Sequence, residues 1–169
     1  GIVVYIDTES ALLLDKLHEQ GVNIKKRFVY VETSCTEEVF SVAESTILKA
    51  KQMAKDVPIL IVWDSVAQTS PKAELEGEYE QQTMGLQARV ISKGIRKIAG
   101  VIANNNVTFL CLNQVRDGIG ILHGDPLVTP GGKAIPFAAS VRIRLGSGSA
   151  IKDDKTGTVI GSHVTVTLK

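Results

Sequence analysis

Short apolar runs and segments of helical period alternate through most of the chain. Residues 2 to 6, IVVYI, are continuously apolar and β-branched, which suits a strand covered on both faces. Residues 10 to 20 read as a short helix, with Leu13, Leu14 and Leu17 as its stripe and Gly21 as its stop. Phe28 to Val31 reads as a second strand. Thr36 opens a helix with Glu37 and Glu38 in its first turn, where negative charge suits the dipole. Val39, Val42, Ala43, Thr46, Ile47 and Ala50 give it helical spacing, and it should end before Pro58. Ile59 to Trp63 is the third buried strand, followed directly by Asp64 and Ser65. Residues 69 to 82, TSPKAELEGEYEQQ, read as an acidic loop. Thr83 to Asn104 reads as a long helix, lined on one side by Met84, Ala88, Ile91, Ile95, Ile98 and Ile102. Val107 to Leu112 is a fourth strand and residues 115 to 135 a long glycine-rich loop. Phe137 to Leu145 alternates as a strand, Gly146 to Gly157 reads as a turn region, and Val159 to Leu168 as a last strand.

Strand, helix, strand, helix, strand is the signature of parallel α/β units with right-handed crossovers. The pattern predicts an α/β fold: a mostly parallel sheet flanked by helices, with an antiparallel C-terminal hairpin at its end. No repeat or linker divides the 169 residues, so one domain is expected. Ligands of such sheets bind at the carboxyl ends of the strands. Glu9 and Asp64 both sit there, so a two-carboxylate site is expected before any family is considered.

Composition narrows the chemistry only a little. Apolar residues make up 44%, ordinary for a globular domain, and no run is long enough to span a membrane. The abrupt opening on a strand at Gly1 points to a domain of a longer protein. Cys35 and Cys111 belong to no CxxC or Cys/His cluster and read as thiols in a reducing cytoplasm. The three histidines are scattered, and no His/Cys metal site is assigned. The net charge of +1 does not announce a nucleic-acid partner, so that claim must rest on local clustering. Arg89, Lys93, Arg96 and Lys97 cluster on one side of the long helix. Plain solvation is the simplest account of such a face.

An apolar strand ending in Asp is the Walker B pattern, in which the carboxylate holds Mg²⁺ directly or through water. By itself it is weak, since many α/β strands end in Asp. Glu9, one strand over, is placed to orient an attacking water as a general base, or simply to face a helix dipole. The phosphate-binding pattern G-x-x-x-x-G-K-[ST] does not occur. Gly131-Gly132-Lys133-Ala134 comes nearest, but Leu127 takes the first glycine position and Ala134 the hydroxyl position.

The strings DSVAQTSPKAELEGEYEQQTMGLQARVISKGIRKIAG, LNQVRDGIGILHGDP and TPGGKAIPFAASVRIRL resemble the core of bacterial RecA recombinases. The resemblance runs from the DTESAL string at residues 7 to 12 to the end of the chain. It implies a RecA-like fold and a filament that assembles on single-stranded DNA. It also implies ATP-dependent pairing and strand exchange with double-stranded DNA, with ATP and Mg²⁺ as cofactors. By the same resemblance Glu9 is the catalytic glutamate, Asp64 the Walker B aspartate with Ser65 beside it, and Gln114 the sensor between the γ-phosphate and the DNA loops. The first DNA loop runs from near Glu76, Gly77 and Glu78 through Met84 and Gly85. Arg89, Ser92 and Arg96 contact the DNA backbone from the helix. Residues 115 to 132 form the second loop, with Arg116 on phosphate, Ile119 as a wedge between base triplets, and Gly131 and Gly132 offering backbone N–H groups. Lys169 stands at the first place of a Lys-x-Lys pair that reaches a neighbouring subunit's nucleotide.

The chain departs from the family pattern in places. Leu13 and Lys16 stand where the family supplies an Asp and a Tyr to adenine, and Asp117 and Gly118 where apolar and basic residues are usual. The N-terminal polymerisation segment, the phosphate-loop strand and helix, and the C-terminal domain of the family lie outside these 169 residues. Three functions remain open from sequence. The chain is the core of an ATP-dependent recombinase, a non-catalytic module that binds DNA or a partner, or part of another RecA-fold motor such as a RadA-like ATPase or hexameric helicase. The DNA-loop strings favour the first. The missing phosphate loop leaves the isolated chain without expected ATPase activity.

Overall fold

The computed structural model describes residues 1–78, 85–117 and 127–169. The elements run β1 (Ile2–Asp7), α1 (Leu14–Glu19), β2 (Phe28–Glu32), α2 (Thr36–Met53), β3 (Ile59–Asp64), a 3-10 turn (Val66–Gln68), α3 (Lys72–Leu75) and α4 (Leu86–Ala103). They continue with β4 (Val107–Cys111), β5 (Arg116–Asp117), β6 (Leu127–Val128), α5 (Ala134–Ala138), β7 (Ile143–Lys152) and β8 (Val159–Leu168). The chain divides into two units, Gly1–Ile135 and Pro136–Lys169.

In the first unit β1 to β4 form a parallel sheet in the order β2-β1-β3-β4. The alternation of a pleated strand decides its two faces. Val4, Ile6, Ile61 and Trp63 point to one side and are buried against Val39, Phe40, Ala43 and Ile47 of α2 and Ile91 and Ile98 of α4. Trp63 meets Phe40 edge-on, with ring centroids 5.5 Å apart. The other face carries Tyr5, Asp7, Val62 and Asp64. The register pairs Asp7 with Asp64, which brings both carboxylates to the same end of the sheet.

Helices α2 and α4 bear out their apolar spacing. Gly94 lets them pack closely, since a Cβ built there would stand 2.3 Å from the Phe40 ring. Helix α1 is shorter than its spacing predicts and buries none of its residues, and Leu13 and Leu14 are 59% and 37% exposed. Three leucines at helical spacing do not make a core stripe when the element has only six residues. Within the expected acidic loop, residues 72 to 75 form the single helical turn α3. Thr69 and Pro71 before it are buried, and Ser70 exchanges backbone hydrogen bonds with Thr36 and Ser34. In the expected long loop after β4, the described residues include the β5–β6 ladder and the start of α5.

The second unit contains the antiparallel β7–β8 hairpin, a two-stranded sheet of its own. Two boundaries differ from the sequence expectation. Phe137 and Ala138 belong to α5, whose first turn tolerates Pro136 because no helical N–H is needed there. The strand therefore begins at Ile143. Gly146 and Gly148 lie within β7 and not in a turn. A Cβ at Gly148 would meet the His163 carbonyl oxygen at 2.9 Å, so glycine serves close strand approach. The turn itself is set by Asp153, whose Oδ1 accepts from the Thr156 N–H at 2.7 Å, the Thr156 hydroxyl at 2.9 Å and the Lys155 N–H at 3.0 Å. These donors, Thr156 foremost, hold its carboxyl below the ordinary carboxylate range.

Candidate functional site

The parallel sheet gathers three strand ends. Asp64 closes β3, Glu9 lies two residues beyond β1, and Gln114 three beyond β4. Glu9 Oε1 accepts from the Ser65 hydroxyl at 2.5 Å and from Gln114 Nε2 at 3.4 Å. Ser65 is 3% exposed and locked in place by Thr8. The Ser65 N–H donates to Thr8 Oγ1 at 2.6 Å, the Thr8 hydroxyl donates to the Ser65 carbonyl at 2.8 Å, and the Thr8 N–H donates to the Asp64 carbonyl at 2.7 Å. The Asp64–Ser65 peptide bond is cis.

Two tyrosines serve the aspartates. The Tyr5 hydroxyl donates to Asp64 Oδ2, and the Tyr30 hydroxyl donates to Asp7 Oδ2 at 3.0 Å. Burial and the bond to Asp64 push the Tyr5 phenol upward. Asp7 is 2% exposed and also accepts from the Glu9 and Leu12 N–H groups, each at 3.0 Å. Burial alone would raise its pKa, but the Leu12, Glu9 and Tyr30 donors outweigh burial and hold the carboxyl below its usual range. Asp7 thus fixes the backbone that presents Glu9.

Gln114 is followed within two residues by β5, where Arg116 pairs with Val128 and is exposed. Its neighbour Asn113 donates through Nδ2 to the Pro130 carbonyl at 2.9 Å, which ties the strand end to the loop exit. Gly131 and Gly132 follow, with φ of 87° and 73°. Their left-handed backbone favours glycine, and so does space. A Cβ at Gly131 would stand 2.8 Å from Ile91 Cδ1, and one at Gly132 2.9 Å from Ala88 Cβ. The loop exit therefore packs on the start of α4. Gly85, with φ of 71°, leads into that helix. Gln87 Nε2 ties it to the segment after Asp64, donating to Thr69 O at 2.6 Å and Val66 O at 3.2 Å. A cavity of about 330 Å³ lies at this junction, between Thr69, Ser70, Glu74, Gly85 and Gln87.

On the outer side of α4, Arg89, Lys93, Arg96 and Lys97 are exposed. They are not equivalent. Arg96 Nη1 donates to Ser92 Oγ at 2.7 Å, and Lys97 is ion-paired with Glu44 of α2 at 2.6 Å. The structure thus brings Glu9, Asp64, Ser65 and Gln114 together at the sheet's end. It places Arg89, Ser92 and Arg96 along the helix on which Gly131 and Gly132 pack. Lys169 lies in the second unit, its N–H donating to the Arg142 carbonyl at 2.9 Å. Met84 and Ile119 lie outside the described residues. Sequence reasoning passed over Tyr5, Asp7, Thr8, Gln87 and Asn113. The first two left only a faint mark, two polar-ended side chains two positions apart on one face of an otherwise apolar β1.

All 169 residues match the family model for the RecA N-terminal domain. The chain belongs to the RecA family. Protein RecA of Mesoplasma florum is 39% identical over 165 residues, 98% of this chain and 47% of that protein. Protein RecA of Chloroherpeton thalassium is 38% identical over 167 residues, 98% of this chain and 44% of that protein. Protein RecA of Thermus thermophilus is 40% identical over 154 residues, 90% of this chain and 43% of that protein. The chain spans a little under half the length of these RecA relatives. The parallel sheet with flanking helices and the antiparallel hairpin agree with the RecA-like α/β architecture.

Proposed function

We propose that this chain supplies the carboxylate, sensor and DNA-facing parts of a RecA-type recombinase acting in homologous recombination and DNA repair. Its partners are single-stranded and double-stranded DNA and further copies of the protein in a helical filament, in the cytoplasm. The observation that carries this reading is the sharing of Glu9 Oε1 by Ser65 and Gln114 at the ends of adjacent strands. One side of that cluster is a carboxylate suited to accept a proton from water. The other side runs directly into the β5–β6 ladder and, through Asn113, to the glycines on α4. A change at Glu9 is therefore mechanically connected to the surface where Arg89 and Arg96 stand.

The donor set suits Mg²⁺ and ATP. Mg²⁺ keeps water and phosphate ligands and needs only one or two carboxylates from the protein. Among the described residues no group of three or more His, Cys, Asp or Glu is arranged to hold a metal. Asp64 would hold Mg²⁺ directly or through water, and the bound ion would neutralise charge on the phosphates. Glu9 orients and deprotonates the attacking water, Ser65 fixes the Glu9 carboxylate, and Gln114 reports the state of the site to the DNA loops. No helix among the described residues is long and apolar enough to cross a membrane.

The test is turnover of ATP with single-stranded DNA, in a polypeptide that joins this chain to a phosphate-binding loop. Glu9→Gln is expected to lower turnover by about 10²- to 10⁴-fold while leaving DNA binding intact. Turnover kept within about twofold would overturn the assignment of Glu9.

A further inference from the structure

We propose that Tyr5 is a positioning residue for Asp64: its phenol takes Oδ2 and so leaves Oδ1 as the oxygen that faces a divalent cation. The inference rests on the reading of Asp64 as the cation-side carboxylate and adds to it a residue that neither the fold nor the sequence motif assigns.

The geometry repeats across three strands. Tyr5 is paired in register with Val62, and Asp64 stands two residues further along β3 on the same face. One strand over, Tyr30 is paired with Tyr5, and Asp7 stands two residues further along β1. Each tyrosine therefore reaches diagonally over about 6.6 Å of neighbouring strand to an aspartate at the sheet's end. A shorter side chain would not cover that distance, and Phe would cover it without a donor.

The two pairs end differently. Asp7 is saturated, with two backbone N–H groups in addition to Tyr30, and is buried. Its use is to shape the backbone before Glu9. Asp64 is half-buried, and among the described residues its side chain accepts only from Tyr5. One aspartate is spent on structure, and the other keeps an oxygen for a ligand. A hydrogen bond from outside the coordination sphere orients a ligating carboxylate and raises affinity at that site.

The experiment measures, by electron paramagnetic resonance, how tightly Mn²⁺–ATP, in place of Mg²⁺–ATP, binds to the chain joined to a phosphate-binding loop, since phosphate completes the ion's coordination. Four forms are compared: the unaltered chain, Tyr5→Phe, Tyr30→Phe and Asp64→Asn. Tyr5→Phe is expected to weaken Mn²⁺–ATP about tenfold with unchanged far-ultraviolet circular dichroism. Tyr30→Phe is expected to stay within about twofold, because Asp7 is not a ligand. Asp64→Asn is expected to abolish the site. Mn²⁺ should also perturb tyrosine absorbance in the unaltered chain and not in Tyr5→Phe. If Tyr5→Phe binds as the unaltered chain does while Asp64→Asn does not bind, Tyr5 has no positioning role and Asp64 keeps its own. Equal weakening by Tyr5→Phe and Tyr30→Phe would show a general effect on the sheet and overturn the proposal. If the unaltered chain takes up no Mn²⁺–ATP, or Asp64→Asn binds equally well, the reading of Asp64 fails and the role of Tyr5 with it.

Discussion

Asp7 shows how much one carboxylate can organise. Its oxygens collect the N–H groups of Glu9 and Leu12 and the Tyr30 hydroxyl, and the chain turns around them. Burial opposes its charge, yet these donors hold its pKa below the ordinary carboxylate value in the fold. A depressed folded pKa stabilises the fold above the unfolded value and stops doing so as pH falls through the folded one. Urea midpoints between about pH 2 and pH 5 should therefore drop with acid, and Asp7→Asn should flatten that drop while lowering the plateau at neutral pH. A mutant with an unchanged acid limb would show that Asp7 is not the titrating group. Asp64 and Glu9 were legible in sequence because a carboxylate after an apolar run marks a strand end. Tyr5, Thr8 and Asn113 were not. Thr8 acts on Ser65, 57 residues away, and only the inter-strand register creates that pairing.

Helix α4 has two unlike sides, one packed on α2 and the sheet and one basic and exposed. Its inner side is crowded at Gly94, where Ala would gain about 1 kcal/mol of helix propensity. The added methyl meets the Phe40 ring, and overpacking of that kind costs about 1–3 kcal/mol. Gly94→Ala is thus expected to lower the thermal midpoint, and a raised midpoint would show that Phe40 moves aside freely. On the outer side, Arg89→Ala or Arg96→Ala should weaken single-stranded DNA binding and flatten its salt dependence by about 0.7 in log–log slope per lost phosphate contact. Lys97→Ala should change that slope little, because Glu44 already occupies the ammonium group. Equal slopes for all three variants would count against this division of the face. The period of α4 was plain in the sequence, but the pairing of Lys97 was not, since it depends on how α2 lies against α4. Glycines misled in β7, where local composition resembles a turn and the cross-strand contact at His163 is what requires them.

For the whole molecule, the parallel strand–helix alternation and the antiparallel hairpin were legible in the run lengths, whereas the strand order β2-β1-β3-β4 was not. Alternation alone does not tell which edge a strand will choose. The chain gathers Glu9, Asp64 and Gln114 at the sheet's end without a phosphate-loop pattern among its 169 residues. Its turnover of ATP, measured with and without single-stranded DNA, is expected to be negligible, because backbone N–H groups and the lysine of such a loop provide most of the grip on phosphate. DNA-stimulated turnover by these residues alone would refute that expectation. Trp63 gives the sheet a last property. It is the only tryptophan in the chain, wholly buried between Phe40 and Phe109, and one peptide bond from Asp64. The protein therefore carries its own fluorophore at the junction of core and site. Its emission colour reports whether the sheet is still shielded from water, so folding and ligand effects near Asp64 can be followed without attaching a dye.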